Sequence, residues 1–343
     1  MDFDIKYLKA IAEKIFNVHS PSGYHIEINQ LLKQLLNELG YECFETNKGN
    51  IVVKVEGNNH TKTVATSAHV DTLGLMVRSI CGDGTLKITR VGGPQIATLD
   101  GEYCYILTRE GKKYSGTILC NQASSHVYPD AGKRREESDM IIRIDEKVDS
   151  ANDVKKLGIS NGDYIFIEPK FVITDSGFIK SRFIDDKASA CALLCVLKYF
   201  KDHNVKPEYD AYFYFVNYEE VGHGASTIAT EIDEFVTVDM GCIGSDLAGN
   251  EYAVSIAAKD SGGPYDYELT SRLIKLAKEN KVNYVIDIFP FYGSDVGAAY
   301  RSGIDTKGAL IGQGVHASHG MERTHMDGII NTMKLLTLYF LSK

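Results

Sequence analysis

Two stretches near the start of the chain, 7–16 and 26–39, carry apolar residues every three or four positions, the spacing that lines one face of a helix. The second stops at Gly40, a residue that accepts the left-handed backbone of a helix terminus without steric cost. Short β-branched runs follow at 51–55 and 63–68, and the latter leads straight into His69-Val70-Asp71. Over 72–175 the pattern changes to brief alternating runs, at 85–91, 102–108 and 164–172, separated by glycine-rich turns, with one short helical piece at 152–158. Beyond that, strands and helices alternate: strands at 211–217, 235–239 and 284–289, helices at 186–200, 225–230, 268–280 and 328–342.

That rhythm predicts an α/β fold, a mixed and mostly parallel sheet flanked by helices, in a discontinuous domain of residues 1–71 and 176–343. Residues 72–175 form an inserted β-rich, barrel-like domain. A length of 343 residues fits two domains, because single cores stop growing near roughly 250–300 residues. With 44% apolar and 24% charged residues the chain has the balance of a packed globular protein. A net charge of −9 argues against a nucleic-acid partner, since the one dense basic cluster is Lys133-Arg134-Arg135. The longest apolar run, 188–197, is too short to cross a bilayer, and the acidic N-terminus does not resemble a secretory signal. Seven cysteines without a C-x-x-C pair read as reduced thiols, which points to the cytoplasm.

Open α/β sheets bind ligands at the carboxyl ends of their strands, so acids and histidines just beyond strands are the candidates for chemistry. His69 and Asp71 lie two residues apart on an extended segment and share a side; one ring nitrogen of His69 is free for a metal while Asp71 holds the other. The same pair also suits an ordinary capped turn. Asp185-Asp186 heads a helix, where acids stabilise the positive end of the dipole, or where one carboxylate with two oxygens spans two cations. Glu219-Glu220 follows the apolar run 212–216, and adjacent carboxylates there repel each other unless a cation or proton intervenes. Asp239 ends a further strand. His316, His319 and His325 compete for one role in a glycine-rich loop, and Glu322 with Arg323 suits a surface salt bridge.

The order of these pieces, Ala68-His69-x-Asp71, Asp185-Asp186-Lys187, Glu219-Glu220-x-Gly222, Val238-Asp239 and a late histidine, resembles the co-catalytic zinc aminopeptidases of the glutamyl and tetrahedral aminopeptidase family. Val91-Gly92-Gly93, the run 140–145, Leu157-Gly158-Ile159, Asn161-Gly162-Asp163 and Gly293-Ser294-Asp295 are similar to further recurring pieces of that family. The resemblance implies two divalent metal ions, zinc by preference, with cobalt or manganese as other occupants. It assigns His69 and Asp239 to one ion, Glu220 and His319 to the other, and Asp185 to both, with a cis bond after Asp185. Asp71 would orient His69, and Glu219 would be the general base of peptide hydrolysis. The family also implies a homo-oligomer, as large as a dodecamer. Two departures stand out: Thr72 replaces an acidic residue, and His319-Gly320-Met321-Glu322 is a compressed form of the usual His-Ser-Pro-x-Glu. The competing functions are a carboxypeptidase or amide deacylase of the same metal design, a metal-free glycosidase using Glu219 with a second acid, and a non-catalytic binding protein.

Overall fold

The computed structural model describes residues 1–130, 132–229 and 231–343. They divide into two units, one of Met1–Asp71 with Lys170–Lys343 and one of Thr72–Pro169. The return to the first unit falls at Lys170, ahead of the expected residue 176. The physical reason is pairing: Val172–Ile173 joins Phe178–Ser181, which in turn pairs with Glu322–His325 late in the chain. The expected strand 164–172 is accordingly split into Tyr164–Ile167 and Val172–Ile173, with Lys170 at a left-handed φ of 53° between them.

In the first unit, ten strands among the described residues form one mixed sheet. At its centre Tyr209–Val216, Asn59–His69, Glu234–Val238 and Lys307–Val315 lie side by side and parallel, while the outer pairings are largely antiparallel. Successive side chains leave a strand on opposite faces. Phe213, Phe215, Val236, Val238, Ala309 and Ile311 therefore join one core, and Tyr214, Val216, Phe235 and Leu310 join another. Burial on both faces explains why these strands read as nearly unbroken apolar runs. Each fully buried Phe or Leu contributes about 1.5–3 kcal/mol relative to exposure.

Helices cover the larger core. Ile5–Phe16 starts at Asp4, whose carboxylate accepts the Tyr7 N–H at 2.9 Å, and turns Leu8, Ile11, Ile15 and Phe16 inward. Ile26–Glu38 ends before Gly40, at φ 73°, and Met326–Leu341 closes the chain against the same layer. The central helix, Ile184–Asp202, is buried over most of its length and carries non-helical dihedrals at Asp185 and Asp186, whose shared peptide bond is cis.

Other expectations differ from the structure as well. The run 225–230 makes a single tight turn, Gly224–Thr227, because the Ala225 N–H goes to Asp295 (2.8 Å) and the Ala229 N–H to Tyr214 Oη (3.1 Å); Thr230 itself lies outside the described residues. So short a run cannot offset the cost of starting a helix when its donors have other partners. The strands Val254–Asp260 and Lys307–Val315 and the helix Asp295–Arg301 appear where no element was expected.

The second unit is a closed barrel with strand order Gly74–Ile80, Leu86–Val91, Met140–Ile144, Lys113–Cys120, Tyr103–Leu107 and Tyr164–Ile167. Alternate residues such as Leu75, Val77, Ile88, Ile106, Ile118 and Ile142 fill it. Closure leaves no unpaired sheet edge. Among the described residues no helix is long and apolar enough to cross a membrane.

Candidate metal centre

The four parallel central strands point the same way, so the residues just past their ends meet at one edge of the sheet. His69 ends the first. Glu219 and Glu220 sit in a short turn, Glu219–Val221, entered through left-handed Tyr218 (φ 71°) and left through Gly222 (φ 82°). Asp239 follows Val238, and His319 follows the strand that ends at Val315. Asp185 and Asp186 arrive from the head of the central helix.

His69 is 2% exposed, and its Nδ1 lies 2.9 Å from the backbone oxygen of Asp71. A carbonyl only accepts, so Nδ1 carries the proton and the Nε2 lone pair faces Asp185 Oδ1 at 3.0 Å. Two acceptors at that distance need a proton or a cation between them. Burial by itself would push the imidazolium down; the carboxylates of Asp185, Glu219, Asp186 and Asp239 overcome it and hold His69 well above the ordinary histidine range.

Asp71 makes its nearer contact to His69 with its backbone carbonyl, not with its carboxylate. Its carboxylate stands 3.7 Å from His69 Nδ1 and instead accepts from Ser22 Oγ (2.5 Å) and the N–H groups of Glu219 (3.1 Å) and Glu220 (3.3 Å). It orients His69 through its own carbonyl and shapes the glutamate turn with its side chain. The carboxylate suits the turn because it offers acceptors to two consecutive N–H groups that no helix satisfies.

Asp185 presents its oxygens to different histidines: Oδ1 to His69, and Oδ2 to His319 Nε2 at 3.7 Å. Burial raises its pKa, but the two histidines outweigh that and hold the carboxyl below the usual range. His319 Nε2 also lies 3.7 Å from Glu220 Oε2, while Glu219 Oε2 lies 3.8 Å from His69 Nε2. Burial, then the charge of Asp239, raises Glu219 well above a normal carboxylate; burial, then Asp185, does the same to Glu220. Asp239 is pushed up to about 7 by burial and Asp185.

Among the described residues, His316 and His325 make no ion pair with Asp185 or Glu220, as His319 does. His325 Nε2 meets the Ser176 carbonyl at 2.8 Å and its Nδ1 accepts the Asp327 N–H at 3.1 Å. His316 is exposed and forms a backbone bridge to Arg323. The Glu322–Arg323 salt bridge does not form: Glu322 is 2% exposed, and Arg323 turns to Glu251 at 3.1 Å.

Ligand atoms of His69, Asp185 and Glu220 all lie within 4.8 Å of one another, as do those of His69, Asp186 and Asp239. The donors fit divalent cations: imidazole nitrogen and carboxylate oxygen are the ligand types of zinc, cobalt and manganese. Glu220 Oε1 is buried with no hydrogen-bond partner among the described residues, an uncompensated acceptor that a cation would satisfy.

The family model for the M42 glutamyl aminopeptidases matches residues 49–335. This chain belongs to the M42 aminopeptidase family. A putative aminopeptidase, YhfE, of Bacillus subtilis (strain 168) is 43% identical over 331 residues, 96% of each chain. A TET aminopeptidase from the marine sediment archaeon Thaumarchaeota archaeon SCGC AB-539-E09 has the same fold, with TM-score 0.88 and 21% identity over 98% of this chain and 96% of that one. The TET1 peptidase of Pyrococcus horikoshii gives TM-score 0.85 and 21% identity over 99% of both chains. As a member of the family, this M42 chain is an aminopeptidase that depends on divalent metals.

This M42 site also uses residues that the strand-end argument passed over. Asp295, 1% exposed, accepts the Ala225 N–H with Oδ1 and supports the loop behind the glutamates; burial pushes it up to about 6. Tyr292 donates its phenol to the Met240 carbonyl at 2.9 Å, bracing the turn after Asp239. Their only signal in the sequence was the Gly293-Ser294-Asp295 loop.

Proposed function

We propose that this aminopeptidase works with two zinc ions, one held by His69 and Asp239, one by Glu220 and His319, with Asp185 shared. The observation that carries this reading is Asp185 itself, whose oxygens face His69 and His319 separately. Asp186 lies in the group with His69 and Asp239, but its Oδ2 accepts the His69 N–H at 3.2 Å, which suits a supporting carboxylate more than a bridging one.

Bound metals of this kind supply Lewis acidity, which acidifies water and polarises the scissile carbonyl. Glu219 takes the proton of the attacking water and returns it to the departing amine. Its position beside His69 suits a group that holds a proton between the two steps. Asp71 keeps Glu219 in place by accepting its backbone N–H. Membership of the M42 aminopeptidase family supports action at a free amino terminus over a carboxypeptidase or deacylase.

The test is Glu219→Gln. The variant should retain two zinc ions per chain by metal analysis and lose at least about 10²-fold in turnover of aminoacyl p-nitroanilides, the lower end of what a positioned acid–base contributes. Wild type should lose activity to a chelator and recover it with zinc. Full activity in Glu219→Gln, or chelator resistance, contradicts the reading.

We further infer a homo-oligomer, as large as a dodecamer, in which the barrel unit serves assembly or substrate access. The dodecamer of PhTET1-12s and the tetrahedral or octahedral shells of the Pyrococcus horikoshii peptidase support this. Light scattering on the purified chain measures it. Seven free thiols suit action in the reducing cytoplasm.

A further inference from the structure

Glu322 is a buried acid that takes part in no expected chemistry, and both of its oxygens are committed. Oε2 accepts the Asp185 N–H at 3.0 Å, and Oε1 accepts the His319 N–H at 2.9 Å. The two donors belong to the residue placed between both metals and to the late histidine, which arrive from opposite ends of the chain's second half.

The backbone of Glu322 is itself anchored. It opens the strand Glu322–His325, pairs with Ser181, and so lies beside the segment that leads into Asp185. His319, three residues earlier, sits at φ 64°, a left-handed backbone that side chains other than glycine rarely adopt. The hydrogen bond from its N–H back to Glu322 closes that turn. The compressed His319-Gly320-Met321-Glu322 spacing thus has a physical role: it returns a carboxylate to the histidine's own backbone while the other oxygen reaches Asp185. Placing one more acid beside Asp185 is electrostatically unfavourable, and the backbone N–H donors that need acceptors are the compensation.

We propose that Glu322 is a positioning residue that sets the spacing between Asp185 and His319, and thereby the affinity of the cation that His319 and Glu220 share. This rests on the two-metal reading above. A carboxylate is required because both donors are N–H groups. Glutamine would turn its NH₂ toward one of them and leave that N–H without an acceptor.

The experiment titrates metal-free full-length protein with zinc against a chromophoric chelator, for wild type, Glu322→Gln and Glu322→Asp. Wild type should show two sites. Glu322→Gln should weaken the site of His319 and Glu220 about 10–100-fold, the usual effect of losing a group that orients a metal ligand, and should weaken the other site, which shares only Asp185, clearly less. Aspartate, with both acceptors but a shorter reach, should weaken the same site less. Turnover of Glu322→Gln should recover at high zinc, because Glu219 is intact. The less affected site reports that the variant is folded. Two sites of wild-type affinity in Glu322→Gln, or equal weakening of both sites, would overturn the proposal while leaving the two-metal reading standing. A wild-type chain that binds no zinc overturns that reading and this inference with it.

Discussion

Gly312 lies in the strand Lys307–Val315, in ordinary extended backbone that alanine adopts freely, so any penalty for Gly312→Ala comes from its neighbours. A Cβ at this position would stand 1.8 Å from the backbone oxygen of Asp239 and 2.6 Å from its carbonyl carbon. Carbon and carbonyl oxygen normally approach to about 3.3–3.6 Å, so the turn carrying Asp239 would have to retreat by roughly 1.5 Å. It cannot swing away, because the Asp239 N–H is bonded to the Ile311 carbonyl at 3.0 Å and Tyr292 holds the Met240 carbonyl. The obstacle is backbone, not a flexible side chain. Overpacking typically costs about 1–3 kcal/mol, and here the upper end applies. A misplacement near 1 Å can cost about 10²-fold in rate. Urea denaturation and kcat/KM on an aminoacyl p-nitroanilide measure the two effects. Gly82→Ala is the control, since a Cβ there meets nothing within 4 Å, and its change should stay within about 0.5 kcal/mol. A Gly312→Ala variant that matched this control in stability and wild type in activity would refute the claim that the close approach of strand and turn places Asp239.

Two further outcomes follow from the cores and the charges. Phe213 is fully buried and stacks on Phe340 with ring centroids 4.8 Å apart, so Phe213→Ala should cost about 3–5 kcal/mol in chemical denaturation; a loss under about 1 kcal/mol would mean the site collapses around the missing ring. Burial alone would raise the Glu234 carboxyl, but the Arg272 guanidinium beside it and the Tyr339 hydroxyl at 3.0 Å hold it below the usual range. A depressed folded-state pKa contributes stability that is complete above the unfolded value of about 4.3 and disappears as pH falls through the folded one. Thermal melts should therefore show Glu234→Gln less stable than wild type at pH 7, with the gap closing below about pH 4. A gap that stays constant with pH would show that the ion pair is not its source.

Much of the architecture was legible along the chain. Strands buried on both faces must be apolar throughout, and Tyr212 to Val216 and Phe235 to Val238 announced themselves that way. The strand Lys307–Val315 did not, although it lies at the centre of the sheet. Gly308, Gly312 and Gly314 make it read as a loop, and the reason for them is supplied by other segments: added Cβ atoms would meet Val296 and Tyr300, Asp239, and Asn250. A residue chosen for what approaches it from a distant part of the chain leaves no periodic trace.

The candidate site divides along the same line. Residue type past strand ends left each of His69, Asp185, Glu219, Glu220 and Asp239 with an ordinary structural reading beside the chemical one, and it was their order along the chain, through the family it resembles, that put them forward as candidates. Which of three histidines faces Asp185, and that Asp71 serves His69 through its carbonyl rather than its carboxylate, depended on how the strands bring the segments together. So did the place of Glu322, which sequence proximity paired with Arg323 and the fold pairs with Asp185 and His319. Sequence determines which groups can ionise, accept or ligate; only packing decides which hydrogen-bond partner each buried group is left with.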